Sequence, residues 1–341
     1  MVFAGPNGSG KTNLLEAVSL LVPGRGLRGA KVSELARHGA EASGGWAVAA
    51  RFVDGLEIGT AQTENAPERR EFRLNGVKPK SQAEVGESLA AVWLTPQMDR
   101  LFTDPGSGRR KFLDRLVVAL EPSHAREIAA FESASAQRNR LLAEHPDPAW
   151  LAGLEDSMAR HAVAATAARA ALVARLNATL QAGAAEPFPR VALALECAIA
   201  ARLAAKPAVE VEEALRVAYA AARPADAAAK SAGLGPHRAD FRLTDAVTGR
   251  GAEISSTGQQ KAMLIGIVLG HAALITAARG VPPLLLLDEP LVHLDEARRT
   301  AFIAALNAGP ASVWLTGTDL PPFKGLDAAY YTIKDGSIGA E

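Results

Sequence analysis

The sequence predicts an α/β fold with a buried parallel sheet, an added antiparallel β layer and an inserted antiparallel helical hairpin. Three observations carry this prediction. A glycine-rich loop at residues 5–12 lies between an apolar segment and a helical pattern, which indicates strand, loop and helix in succession. The run Leu284–Leu287 is apolar without alternation, which is typical of a strand buried on both faces of a parallel sheet. Residues 123–184 show long helical patterning.

Composition and charge limit the class of protein. The chain has 341 residues, enough for about two domains, and 48% of them are apolar. Lysine plus arginine equal aspartate plus glutamate at 37 each, which excludes a cationic field over the whole protein, so any nucleic-acid site must be a local patch. The single cysteine, Cys197, excludes an internal disulfide and fits a reducing cytoplasm.

Neither a secretion signal nor a membrane span is predicted. The first residues lack both a charged region and a long apolar region. The longest apolar stretch, residues 262–278, is short for a membrane span and contains His271, so we interpret it as a buried helix. We therefore expect a cytoplasmic protein without membrane contact.

The elements between these landmarks follow from changes in period. Residues 46–77 contain three short segments of strand type, with Asn75 and Gly76 as a hairpin turn, which predicts the antiparallel layer. Helices are expected at residues 123–144 and 148–184, and the short turn between them makes them antiparallel. The α/β pattern then returns, with a second buried strand at 312–315 and a closing hairpin at 330–338. The predicted segments are residues 1–121 and 186–341 as two parts of one head, and 122–185 as a helical arm.

The glycine-rich loop, hereafter the P-loop, matches the pattern G-x-x-x-x-G-K-[ST]. Its residues are Gly5, Pro6, Asn7, Gly8, Ser9, Gly10, Lys11 and Thr12. Glycines let successive backbone N–H groups curl around a phosphate, Lys11 can reach the β and γ oxygens, and Thr12 can bind Mg²⁺. The alternative is an ordinary glycine-rich turn.

Two carboxylates, Asp288 and Glu289, end the buried strand at 284–287. At the carboxyl edge of a parallel sheet, Asp288 is placed to hold Mg²⁺ and Glu289 to orient and deprotonate an attacking water. Taken alone, the two acidic residues could mark a strand end that meets a helix cap. Together with the P-loop, they favour nucleotide chemistry.

A third motif, the signature segment, covers residues 255–261. Ser256 and Gln259 have capping-box spacing, so the simpler interpretation is a helix N-terminus. Such an N-terminus is also an anion site, and one nucleotide needs only one P-loop. A second anion site suggests that two subunits hold ATP between them.

Along the chain the P-loop comes first, then the signature segment, then the acidic pair. This order resembles that of an ATP-binding-cassette (ABC) ATPase head. The long interval between the P-loop and the signature segment resembles the branch that contains SMC-like DNA-repair ATPases. Over almost its whole length the chain resembles the RecF family of bacterial recombination mediators. The segments that carry this resemblance are KTNLLEAVSLLVPGRGLR, WLTPQMDRLFTDPGSGRRKFLDRLV, QRNRLL, GPHRADF, SSTGQQKAMLIGIVLGHAALI and TGTD.

The resemblance implies roles for individual residues. Gln97 would sense Mg²⁺ or water together with Thr12 and Asp288, and Glu289 would act as the base. Ser256, Gly258 and Gln259 would contact the γ-phosphate bound by a partner subunit, and Asp295 would lie in a loop at the dimer interface. The chain departs from the ABC pattern in two places: Ser255 replaces the usual leucine, and residues 316–319 replace the switch histidine. Thr318 or Asp319 could serve as the γ-phosphate sensor there.

The function implied by the resemblance is an ATP- and Mg²⁺-dependent homodimeric clamp on double-stranded DNA near single-strand gaps. It would assist RecA loading with RecO and RecR in the repair of DNA damage, with slow ATP hydrolysis. Two rivals stay open: a scaffold in which ATP only bridges the subunits, and a transporter subunit, which conflicts with the long insertion.

Basic clusters supply candidate DNA contacts, although the charge pattern supports them only in part. Residues 1–120 hold 16 basic and 13 acidic side chains. The basic ones gather at Arg25, Arg28 and Lys31, at Arg69, Arg70 and Arg73, and at Arg109, Arg110 and Lys111. Each cluster equally fits an ordinary solvated face. His237 and Arg238 fit a structural pair better than a site.

The P-loop strand is short for its expected place inside a sheet, because only four residues precede Gly5. RecF-like proteins carry further strands before this loop. The sequence therefore suggests a truncated start, which would leave a sheet edge uncovered and weaken ATP binding.

Overall fold

A computed structural model describes residues 1–36, 45–144, 147–309, 311–334 and 336–340. The chain forms two compact units. Unit 1 comprises Met1–Arg100, Thr179–Arg190 and Ile254–Glu341, and unit 2 comprises Leu101–Ala178 and Val191–Glu253. The predicted segments 1–121, 122–185 and 186–341 divide the chain at other points and stay a functional prediction.

The strands are β1 Val2–Ala4, β2 Ala47–Arg51, β3 Glu57–Thr63, β4 Ala66–Leu74, β5 Ala91–Leu94, β6 Val191–Glu196, β7 Asp240–Asp245, β8 Leu284–Leu287, β9 Ser312–Gly317, β10 Tyr330–Lys334 and β11 Ser337–Ala340. The α-helices are α1 Lys11–Ser19, α2 Gln82–Ser88, α3 Gly106–Leu120, α4 His124–Ala143, α5 Pro148–Gln181, α6 Ala198–Leu203, α7 Ala208–Ala229, α8 Thr257–Arg279 and α9 Glu296–Ala308.

Unit 1 is built on a six-stranded sheet in the order β11-β10-β1-β9-β8-β5. The pairs from β10 to β5 are parallel, and β11 closes the sheet as the antiparallel arm of a hairpin. All four residues of β8 are buried, as its unbroken apolar run predicts. The short β1 has a partner on each side, so it lies inside the sheet as expected of a P-loop strand.

The antiparallel layer of unit 1 is the three-stranded sheet β2-β3-β4, as predicted. Asn75 and Gly76 follow β4 with φ values of 50° and 79°, so both adopt the left-handed backbone that favours asparagine and glycine in tight turns. The predicted turn is therefore confirmed in its residues and in its backbone conformation, and reciprocal bonds between Leu74 and Val77 close it. It follows the last strand of the layer and does not join two of its strands.

Helix α8 is the apolar helix predicted from residues 262–278. It is long and apolar enough to cross a membrane, but 72% of its most apolar window is buried inside the structure. Gly280 ends the helix in a left-handed conformation, φ 71°. A core helix of unit 1 accounts for its composition.

Unit 2 contains the predicted helical hairpin, made by α4 and most of α5. Glu127 contacts His161, and Arg138 contacts Glu155, so the numbering rises along α4 as it falls along α5. This antiparallel pair confirms the prediction. Its core also includes residues of α6 and α7, and α3 and the β6-β7 pair belong to the same unit.

Candidate functional site

The P-loop joins the end of β1 to the start of α1, and its glycines are required by geometry. A Cβ on Gly5 would lie 2.2 Å from the Ile333 carbonyl oxygen, so only glycine fits there. Gly8 and Gly10 have φ values of 84° and 104°, the left-handed region that other residues rarely adopt. The predicted loop is therefore a turn that needs glycine at defined positions.

The loop fits a phosphate group. The Ser9 hydroxyl oxygen is buried and has no hydrogen-bond partner among the described residues. Lys11 is 4% exposed, and its Nζ donates to the carbonyl oxygens of Gly5 and Pro6 at 2.6 and 3.0 Å. No side chain caps the N-terminus of α1, so the positive end of the helix faces the loop uncapped. An anion bound there would gain a donor hydroxyl, an ammonium and backbone N–H groups.

Thr12 and Asp288 meet although 276 positions separate them in sequence. The Thr12 hydroxyl donates to Asp288 Oδ1 at 3.2 Å. Asp288, 3% exposed, follows β8, and its N–H donates to the Leu94 carbonyl at 2.9 Å. A hydroxyl and a carboxylate oxygen are ligands that Mg²⁺ prefers, so this pair fits the predicted metal role.

Thr316, at the end of β9, holds both acidic residues of the site. Its hydroxyl donates to Asp288 Oδ1 at 2.6 Å and accepts from the Glu289 N–H at 3.0 Å. Glu289 has a φ of 47°, a left-handed conformation that is strained for a residue other than glycine, and the bond to Thr316 satisfies its backbone N–H there. From the sequence, residues 316–319 were considered only for the γ-phosphate sensor. The available signal for Thr316 was a hydroxyl residue directly after the predicted strand 312–315.

Gln97 lies in a 3-10 turn, Pro96–Arg100, hereafter the Q-turn. The Q-turn follows β5, which pairs with β8 so that Leu94 lies opposite Leu287. Gln97 therefore belongs to the same carboxyl edge of the sheet as Asp288. It is exposed, and among the described residues no hydrogen bond joins it to Thr12 or Asp288.

The signature segment forms the N-terminus of α8. Ser256 is the N-cap: its hydroxyl accepts from the Gln259 N–H at 3.4 Å, and its own N–H donates to Gln259 Oε1 at 3.1 Å. The capping-box interpretation is therefore confirmed, while the phosphate role of Ser256 and Gln259 stays a prediction. A Cβ on Gly258 would lie 3.0 Å from the His293 carbonyl oxygen. This close approach requires a small residue at position 258.

Asp295 caps the next helix, α9. Its carboxylate accepts from the Arg298 N–H at 2.8 Å. Asp295 therefore stabilises the start of α9. Its place at a dimer interface stays a prediction.

The candidate DNA contacts on α3 differ in their surroundings. Arg109 makes a bidentate pair with Asp240, 2.8 Å for each bond, and donates to the carbonyls of Leu101 and Asp104. Burial raises the pKa of Asp240, but the bonds from Arg109 and from the Phe241 N–H, with the positive charges of Arg109 and Arg110, together outweigh it and hold that pKa below its usual value. Arg110 donates to the Ala239 carbonyl, whereas Lys111 is exposed. The geometry favours an internal ion pair for Arg109 over a contact with DNA.

A second basic cluster is also partly internal. Arg70 donates to the carbonyls of Leu20, Val22 and Gly24, and burial lowers its pKa to about 10. It therefore fixes the loop that carries Arg25 and Arg28. Arg28, which is exposed, donates to Asn13 Oδ1 at 2.8 Å, directly beside the P-loop.

His237 and Arg238 both serve unit 2. The His237 ring stacks on Phe131 with centroids 5.5 Å apart, and its Nε2 lies 2.9 Å from the Ala232 carbonyl, which Arg238 also contacts. Burial lowers the pKa of His237. These contacts support the structural interpretation of the pair.

Lys261, the last residue of the signature segment, forms an ion pair that was not predicted from the sequence. This side chain is 1% exposed, and its Nζ donates to Asp99 Oδ1 in the Q-turn at 2.8 Å. Its position, one turn inside an apolar helix, was the available signal, because an unpaired charge is not tolerated there.

The fold and the site together define a P-loop ATPase head of the ABC type. No protein-family model matches the chain. It is 44% identical over 347 residues to the DNA replication and repair protein RecF of Mesorhizobium japonicum. The alignment covers 99% of this chain and 91% of that relative. RecF of Agrobacterium fabrum is 43% identical over 349 residues, covering 100% and 92%. The chain belongs to the RecF family of DNA replication and repair proteins.

Solved structures agree with this fold. A structure of the recombination mediator protein RecF with ATP superposes with a TM-score of 0.83 at 23% identity, covering 100% of this chain and 91% of that one. A second RecF structure gives a TM-score of 0.84 at 22% identity. At these identities the comparison supports the architecture described above.

Proposed function

We propose that this protein is an ATP-dependent DNA-binding protein of replication and recombinational repair, which closes as a dimeric clamp on duplex DNA near single-strand gaps. The observation that carries the proposal is the contact between Thr12 and Asp288, 3.2 Å apart, at the end of a phosphate-binding loop. Membership of the RecF family supplies the biological setting.

In this proposal the P-loop holds the triphosphate of ATP. Ser9 and Lys11 face it, and the N-terminus of α1 adds its positive end. Thr12 and Asp288 hold Mg²⁺ with Gln97, and the ion supplies charge neutralisation for the phosphates when bound. The structure of a RecF relative with ATP supports this assignment.

Glu289 orients and deprotonates the attacking water. The bond from its N–H to Thr316 keeps its backbone in one conformation, so its carboxylate leaves the sheet from a fixed point. Hydrolysis is slow and gates release of the clamp, because ATP that bridges two heads favours the dimer.

The second anion site lies at Ser256, Gly258 and Gln259, and it serves the ATP bound by a second copy. Since each chain offers one P-loop and one signature segment, two copies enclose two nucleotides. The dimer presents the DNA surface, and exposed Lys111 is a proposed contact on it. RecO and RecR are the proposed partners in RecA loading in the cytoplasm, since the RecF structures are described within the RecFOR pathway.

Sedimentation with nucleotide and DNA tests this function. We expect a monomer alone, a dimer with ATP and Mg²⁺, and ATP-dependent binding of gapped duplex that exceeds binding of a single strand of equal length. Absence of nucleotide binding contradicts the proposal. Turnover of ATP in the presence of gapped duplex separates the clamp from the rival scaffold, in which ATP bridges the subunits and hydrolysis is negligible.

A further inference from the structure

A buried ion pair joins the signature helix to the Q-turn. Lys261 lies in the second turn of α8, and its side chain is 1% exposed. Its ammonium is 2.8 Å from Asp99 Oδ1, and the Asp99 side chain is 19% exposed. Within the described part of the chain, no other hydrogen-bond partner of the Lys261 ammonium is found.

Stability alone is a poor explanation for such a pair. Removing an ammonium from water is costly, and a well-packed apolar side chain at the same place is often as stable or more stable. Buried charges are best attested where they fix one arrangement of two elements against another. The two elements fixed here are α8 and the Q-turn.

Lys261 ends the signature segment, and Asp99 lies near Gln97. Lys261 lies five residues after Ser256, about 7.5 Å along the helix axis, so it moves with the helix start as one rigid body. Asp99 lies two residues after Gln97 in a turn of five residues, so the ion pair attaches this short turn to α8 close to Gln97.

We propose that Lys261 and Asp99 are positioning residues that couple the signature segment to Gln97 within one chain. Engagement of Ser256 by the ATP of a second copy moves or fixes the start of α8. The ion pair passes that constraint to the Q-turn and sets Gln97 for this chain's own ATP. Regulation of each site by the other therefore runs through this contact. The inference rests on the proposed function.

The test uses the full chain and two variants that break the pair from opposite sides. Lys261→Met removes the charge and keeps the length of the side chain. Asp99→Asn changes the more exposed partner, so it keeps the proposal testable if Lys261→Met fails to fold. Arg279→Met is the matched control, because Arg279 also joins α8 to a neighbouring segment, through the Gly86 carbonyl at 2.8 Å.

Four quantities are measured: ATP affinity, the dimer dissociation constant, turnover at saturating ATP and protein, and hydrogen exchange in the Q-turn. We expect turnover to fall about tenfold in both variants while the two binding constants change less than about twofold. Hydrogen exchange in the Q-turn should slow when ATP dimerises the wild type and stay unchanged in Lys261→Met, although the P-loop is protected in both. Arg279→Met should behave as wild type.

Two results overturn the inference in distinguishable ways. If the wild type binds ATP and dimerises, and both variants keep wild-type turnover and ATP-dependent protection of the Q-turn, the pair does not couple the sites. The pair is also not a coupling element if, in both variants, ATP affinity, dimerisation, turnover and the free energy of unfolding all fall together, because the pair then acts only on stability. If the wild type neither binds ATP nor dimerises, the proposed function fails and the inference fails with it.

Discussion

Thr316 contacts both acidic residues of the candidate site through one hydroxyl group. Its one hydroxyl donates to Asp288 and accepts from the N–H of Glu289, and the residue is fully buried. Removal leaves a carboxylate oxygen and a strained N–H without this partner in a place that water does not reach. In the proposed function, Thr316 thereby links the proposed metal ligand Asp288 to the proposed base Glu289.

Thr316→Val should lower the free energy of unfolding by about 1–3 kcal/mol, since a buried donor and acceptor lose their partner. It should also lower ATP turnover, because Glu289 is no longer fixed. Thermal unfolding and steady-state turnover measure the two effects. Thr318→Val, at an exposed position two residues on, is the control for stability. Equal stability of the two variants would contradict the role given to Thr316.

Lys11→Met should weaken ATP binding about 10- to 100-fold, since the variant loses charge-assisted hydrogen bonds to phosphate. Titration with a fluorescent ATP analogue measures the affinity. Lys80→Met, a change at an exposed lysine of the same unit, should leave it unaltered. An unchanged affinity in Lys11→Met would remove the P-loop assignment.

Arg109→Ala should destabilise the protein near neutral pH by about 1–3 kcal/mol through loss of bonds to a carboxylate. The pKa of Asp240 is held below its unfolded value, so the stabilisation is present above that unfolded value and is lost as the pH falls through the folded pKa. The difference between wild type and variant should therefore shrink in acid.

Urea unfolding over a pH series measures this difference, with Lys111→Ala as the exposed control. A difference that stays constant into acid would show that Asp240 is not the partner that matters. Unchanged stability together with a weaker salt dependence of DNA binding would instead support the predicted DNA contact for Arg109.

At the residue scale, the sequence predicted what chemistry and local spacing encode. Lys11, Thr12 and Asp288 follow from phosphate and Mg²⁺ chemistry, and the structure brings Thr12 and Asp288 together. The contacts of Thr316 and the ion pair of Lys261 were missed because each joins residues that lie 27 or more positions apart in the sequence. Such partners depend on strand order, which a sequence pattern does not encode.

At the scale of elements, the strands with the clearest pattern were predicted best. The buried run of β8 and the alternating β2-β3-β4 layer were found where the period placed them. The membership of α3 and the β6-β7 pair in unit 2 was not predicted, because it depends on contacts such as Arg169 with Asp114 and Phe112 with Phe241. Those contacts leave no periodic signal in the sequence.

Helix α8 allows the capping role of Ser256 to be separated from its proposed role in the dimer. Ser256→Arg should keep ATP affinity and lose ATP-dependent dimerisation, since a bulky side chain enters the space of the partner's phosphate. Ser256→Ala removes the cap without bulk, which costs about 1 kcal/mol of stability, and should still dimerise. Sedimentation with ATP compares the two. Dimerisation of both variants like wild type would leave Ser256 as a cap only.

At the scale of the whole molecule, the proposed function requires ATP as the bridge between two copies. Each unit holds its own packed core, and unit 1 contains the P-loop, the Q-turn, the signature segment and both acidic residues. One chain therefore carries every predicted part of the nucleotide site. Its signature segment lies at the start of α8, whereas its P-loop leads into α1. This arrangement predicts a nucleotide-dependent dimer.

The most direct measurement is sedimentation of the Glu289→Gln variant with ATP and Mg²⁺, compared with wild type over time. The variant keeps the size of the side chain and loses the base. It should form a dimer that persists, while the wild-type dimer dissociates as ATP is consumed, and both should be monomers without nucleotide. A variant that binds ATP and stays a monomer would contradict the account.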